Sequence, residues 1–168
     1  MRLFLLTALT MLAFAANSVL NRWAVGPGHI GAAEFAMIRL ISGAVMLGAL
    51  VLWRRGGWAW PGWRGRVAGV LGLSAYLIGF SLAYRGLDAG TGALVLFGTV
   101  QVTMFLGALV SRDAVPVRRW AGAGLALSGL ALIAVPGAAH WVPLGLMAVA
   151  GVGWGLYSLA GRGAADPL

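Results

Sequence analysis

The residues able to do chemistry in this chain are few, and most lie where polar groups are costly. The stretch EFAMIRLISGAVMLGALVL, residues 34–52, holds Arg39 among side chains otherwise suited to hydrocarbon. A guanidinium at the centre of a bilayer costs roughly 2.5–3.5 kcal/mol on insertion scales. Asn17 and Asn21 are four residues apart, hence on one face of a helix, while Tyr76, Gln101, Trp154 and Tyr157 sit inside other apolar runs. Such groups donate and accept hydrogen bonds, and Arg39 adds a fixed positive charge. Their chemistry is recognition: they suit an anionic or zwitterionic solute.

Acid–base and metal chemistry find no comparable set. The acids are Glu34, Asp88, Asp113 and Asp166, all at the ends of apolar runs or between them, and His29 and His140 lie in connecting pieces. No HExxH, paired carboxylates or Ser/His/Asp set can be assembled from them. Without cysteine there are no disulfides or thiolate metal sites. No GxxxxGK[ST] loop is present to hold a nucleotide. The expectation is a chain with no catalytic residues, no metal and no cofactor, and so not an enzyme.

What positions these groups follows from composition. Hydrophobic residues make up 61% of the 168 and charged residues 10%, against about 25% charged in a soluble domain. That much apolar surface cannot be hidden from water by one domain of this size, so the expected solvent is lipid. Six apolar runs, approximately 3–20, 35–53, 67–84, 89–110, 120–135 and 142–161, each approach the roughly twenty residues that cross a hydrocarbon core as a helix. The fifth is the nearest to the short limit. Inside/outside alternation is missing, which argues against a barrel. The fold class expected is all-α, a polytopic transmembrane bundle of about six spans.

The net charge of +8 comes from arginines placed mainly in the gaps between runs, a mark of membrane topology and not of nucleic-acid binding. Nine of them fall on the side that holds the N-terminus and two on the other. The positive-inside rule then places the N-terminus in the cytoplasm of a cell (inner) membrane protein. Tryptophans 23, 53, 58, 60, 63, 120 and 141 cluster near the ends of runs, as an interfacial belt requires. The first run also has features of a cleavable signal peptide, but it is long for one and leads into NSVLNRW in place of a polar start.

Several polar positions allow two readings. Arg39 lies five residues after Glu34, about 7–8 Å along a helix, so it can snorkel to water or toward Glu34, or it can face a wet cavity. Asn17, Gln101 and Tyr76 fit either as glue between helices or as cavity walls. Thr99 and Thr103 fit hydroxyls bonded back to their own helix. Small residues at helical spacing (Gly72, Ala75, Gly79; Gly122, Ala126, Gly129; Gly151, Gly155) argue for close helix packing.

The pieces FAMIRLISGAVML (35–47), YRGLDAGTGALVLFGTVQVTM (84–104), RRWAGAGLALSGLALIAVPG (118–137) and GWGLYSLAGRG (153–163) resemble the EamA-type branch of the drug/metabolite transporter superfamily, in the right order and over nearly the whole chain. One departure is that Ser111-Arg112-Asp113 stands where the family usually has a Gly-Glu pair. The resemblance implies two five-helix repeats of opposite orientation, ten helices in all, with a substrate cavity between them. It implies proton-coupled or facilitated movement of small metabolites or drugs, often export. It also favours the cavity reading of Arg39. The residues themselves then suggest Arg39 as a partner for an anion or carboxylate, Asn17, Tyr76 and Gln101 as hydrogen-bonding walls, and Trp154 and Tyr157 as aromatic contacts.

An internal match points the same way. LAFAANSVLNR (12–22) aligns with VGWGLYSLAGR (152–162) at an offset of 140, pairing Phe14 with Trp154, Ser18 with Ser158 and Arg22 with Arg162. Five spans reverse the orientation of the next copy. The expected division is residues 1–137 as the first repeat and 138–168 as the start of a second, here one helix long. The partners expected are the lipid bilayer and a small-molecule solute, with self-association if the chain is complete at 168. The alternative is a truncated or non-transporting membrane protein that needs a partner chain.

Overall fold

A computed structural model describes residues 1–57, 66–112, 115–134 and 141–162, with side chains in the third stretch described to 129. Six helices account for nearly all of it: α1 (Arg2–Val25), α2 (Ala32–Arg55), α3 (Arg66–Ala83), α4 (Ala89–Val110), α5 (Val117–Ala134) and α6 (Trp141–Arg162). The chain is therefore all-α among the described residues, and each apolar run of the sequence became a helix. α1, α2, α3, α4 and α6 are long and apolar enough to cross a membrane. α5 carries Arg118 and Arg119 in its first turn.

Local signals set the ends. The Asp88 carboxylate caps α4 by accepting the Thr91 N–H at 2.9 Å. The Gly31 N–H donates to Glu34 Oε2 at 3.3 Å at the start of α2, and Gly56 ends that helix with a left-handed φ of 64°. Arg112 takes the equivalent conformation after α4, with φ 56°, although it is not a glycine. Arg22 donates from Nη1 to the Tyr84 carbonyl at 2.7 Å. That bond places the turns at 26–31 and 84–88 at the same end, called the upper end below.

α6 packs most closely, lying between α3 and α4. Gly72 and Gly153 meet there: a Cβ on either would stand 2.6 Å from the other's carbonyl oxygen. Gly151 and Gly155 receive Thr99 and Thr103 of α4 in the same way. Both threonine hydroxyls donate back to their own helix, to Val95 O and Thr99 O at 2.8 Å. Close backbone approach is what associates helices when lipid supplies no hydrophobic drive. The core that results is Tyr76, Leu77, Phe80, Tyr84, Leu96 and Met147.

The outer surface is apolar. Leu3, Phe4, Leu9 and Leu12 of α1 are largely exposed, as are Val45 and Met46 of α2, a surface stable only against hydrocarbon or further helices. Trp23, Trp53, Trp120 and Trp141 are exposed near helix ends, where amphipathic rings sit at the membrane interface. Trp58, Trp60, Trp63, Asp113, His140 and Asp166 lie outside the described residues.

Candidate functional site

Arg39 lies two turns into α2, on the side of that helix facing α1 and α3. Its Nη2 donates to Asn17 Oδ1 at 3.1 Å and to Tyr76 Oη at 3.2 Å. Asn17 Nδ2 in turn donates to Tyr76 Oη at 3.3 Å. Three helices thus meet in a closed triangle of hydrogen bonds. Glu34 is not part of it, being engaged by Gly31. Of the two orientations open in the sequence, the guanidinium takes the inward one.

Aromatic rings surround the charge. The guanidinium carbon stands 5.1 Å from the Phe80 ring centre and 5.7 Å from that of Tyr76, within the range of cation–π attraction. Trp154 packs on Tyr76 with centroids 5.0 Å apart, and on Phe14 at 5.3 Å and Phe97 at 6.0 Å. The site is therefore a cation held by two neutral polar groups and backed by rings from α1, α3, α4 and α6.

The balance of donors matters most. Nη1 of Arg39 is buried and has no hydrogen-bond partner in the structure, and no carboxylate pairs with this guanidinium among the described residues. A part-buried cation with an open donor is able to take an oxygen of an anion.

Of the six residues singled out in the sequence, Asn17, Arg39, Tyr76 and Trp154 come together. Gln101 does not. It is exposed on the other side of α4, above a shallow apolar groove shared with Phe105, Leu109 and Trp120 of the α4–α5 pair. Tyr157 is 42% exposed and lies one turn below Trp154, beside Gly72 of α3. The physical reason is that α4 is apolar all round, so a single Gln does not reveal which face meets neighbours. Phe80 and Phe97 also belong to the site, although their sequence context does not mark them. Nothing distinguishes them from packing residues until Arg39 is placed against one and Trp154 against the other.

The model of the EamA-like transporter family matches residues 1–135. The uncharacterized protein PA1977 of Pseudomonas aeruginosa is 49% identical over 173 residues, an alignment that takes in 99% of this chain. The chain spans 58% of the length of that relative. No solved structure matches it.

Proposed function

Because the chain belongs to the EamA-like transporter family, a branch of the drug/metabolite transporter superfamily, we propose that it forms the solute-binding half of a secondary transporter. It is a multi-pass membrane protein of a family of transporters, not of enzymes. In this reading residues 1–137 are one five-helix repeat and 138–168 open a second of opposite orientation. The complete assembly has ten helices, with the solute in a central cavity between the repeats. The membrane is the cell (inner) membrane, the N-terminus is cytoplasmic, and the direction of transport is outward. The excess of arginines on the N-terminal side supports that orientation.

The observation that carries the reading is the open Nη1 donor of Arg39 beside Asn17 and Tyr76. A carboxylate or phosphate oxygen would complete the guanidinium's donor set, while Tyr76, Phe80 and Trp154 offer apolar walls to the remainder of the solute. The substrate class is thus a small anionic or zwitterionic metabolite or drug.

Counterflow in proteoliposomes tests it, using a panel of radiolabelled carboxylate- and phosphate-bearing metabolites. Accumulation of at least one above empty liposomes supports transport. Retention of none by the complete ten-helix assembly, shown to be folded and inserted, rejects it. The exposed apolar face of α1 favours further helices against it, so a second reading is a chain that acts only when paired with another.

A further inference from the structure

Polar side chains above the Arg39 triangle are buried with nothing to bond. Asn21 is 0% exposed, and neither its Nδ2 nor its Oδ1 has a partner. Ser81 is also 0% exposed, and its Oγ is unpaired. With Nη1 of Arg39, these are four orphaned polar atoms on three neighbouring helices.

Their heights can be fixed. α1 and α3 are tied at two levels, by Asn17 to Tyr76 below and by Arg22 to the Tyr84 carbonyl above. Asn21 is one turn, about 6 Å, above Asn17, and Ser81 lies between Tyr76 and Tyr84. Both residues therefore lie at heights bounded by the two ties. Above those heights Ala24, Val25 and Ala32 pack with Phe35 and Leu82 into a small apolar cluster at the upper end.

An amide and a hydroxyl in such a place need partners, because hydrocarbon provides none. A leucine and an alanine would pack there without that demand. Water is the small mobile group that satisfies several buried donors and acceptors at once. We infer that Asn21, Ser81 and Nη1 of Arg39 bind water, and that this hydrated pocket is the route from Arg39 to the aqueous phase at the upper end. The Ala24–Val25–Ala32–Phe35–Leu82 cluster is its apolar cap, closed in this structure. The inference depends on the transport reading only for the purpose of the route; hydration is a separate observable.

The chain has no cysteine, so single-cysteine variants read the pocket directly. Asn21→Cys, Ser81→Cys and Val19→Cys are treated in oriented vesicles with a charged, membrane-impermeant methanethiosulfonate, which reacts with a thiolate in water. His29→Cys, in the upper turn, identifies the face reached. Val19 is exposed on the outside of α1 and serves as the reference for a position away from the pocket.

The expected result is that both pocket cysteines react from the His29 face about ten-fold faster than Val19→Cys, since only a hydrated thiol ionises readily. Adding Phe35→Ala thins the cap and raises both rates further. If Asn21→Cys does not accumulate, Ser81→Cys answers alone. Rates no faster than Val19→Cys, with and without Phe35→Ala, mean a dry interface and overturn the inference. Reaction confined to the opposite face overturns the upper route. Flux lost in Arg39→Ala with unreactive pocket cysteines leaves the solute anchor standing without this route; reactive cysteines with unchanged flux leave the pocket without the anchor.

Discussion

The rings of Phe14 on α1 and Trp154 on α6 meet edge to face, with centroids 5.3 Å apart and planes at 64°. These are the residues paired by the internal offset of 140. Two positions related by a two-fold axis touch only where the axis passes between them. The contact therefore supports the proposal that α6 opens an inverted second repeat, with its axis running between these rings and close to the Arg39 triangle.

Trp154 joins four helices through Phe14, Tyr76 and Phe97. Trp154→Ala is expected to cost about 2–3 kcal/mol, somewhat below the loss for a fully buried tryptophan because the ring is only half-buried. Trp154→Phe should cost under half of that. Denaturant titration in a mild detergent reads the difference, and equal stability of Trp154→Ala and wild type would show that the ring cluster contributes nothing.

Gly153→Ala sets a methyl 2.6 Å from the Gly72 carbonyl oxygen, where backbone has to move. The expected loss is about 1–3 kcal/mol, as for other overpacked contacts. Gly43→Ala meets nothing within 4 Å, so it should gain up to about 1 kcal/mol from helix propensity. Melting temperatures of the two variants should move in opposite directions.

Arg112 holds a left-handed φ of 56° at the end of α4, a conformation that costs a side-chain-bearing residue roughly 1 kcal/mol and glycine little. Arg112→Gly is expected to stabilise the helix end by about 0.5–1 kcal/mol. A fall in melting temperature would show that the guanidinium makes a compensating contact.

Asp88 titrates below the ordinary carboxylate range, chiefly because the Thr91 N–H bonds its charged form. Its folded pKa is therefore lower than its unfolded pKa. The stabilisation is present above the unfolded value, near 4, and disappears as pH falls through the folded one. Asp88→Ala should cost about 0.5–1 kcal/mol at pH 7, and the gap to wild type should narrow below pH 4. Asp88→Asn keeps a capping oxygen and removes the pH dependence. A constant gap between Asp88→Ala and wild type from pH 7 to pH 3 would rule the cap out.

The helices were legible because membrane helices announce themselves by long apolar runs; α4 matches its run residue for residue, and α1 extends five residues past it. Arg39, Asn17 and Tyr76 were legible because polarity is scarce at that depth and each such group demands a partner. Gln101 stands apart from the Arg39 cluster for a related reason: polarity alone does not tell which face of an apolar helix turns inward. The partnerless state of Asn21 was out of reach, since its spacing from Asn17 announces a shared face but not what stands opposite. That knowledge depends on how α1 crosses α3, which long-range ties such as Asn17–Tyr76 and Arg22–Tyr84 set.

The most direct test of the account is solute flux by Arg39→Ala, Arg39→Lys and Gln101→Leu in proteoliposomes at matched insertion. Asn17 and Tyr76 remain bonded to each other when Arg39 is removed, so Arg39→Ala should insert and fold. The account predicts that Arg39→Ala loses at least about ten-fold in flux, the scale of one charged hydrogen bond. Arg39→Lys should keep part of it, and Gln101→Leu, on the far side of α4, should match wild type. Wild-type flux by Arg39→Ala would contradict the assignment of Arg39 as the solute's anchor.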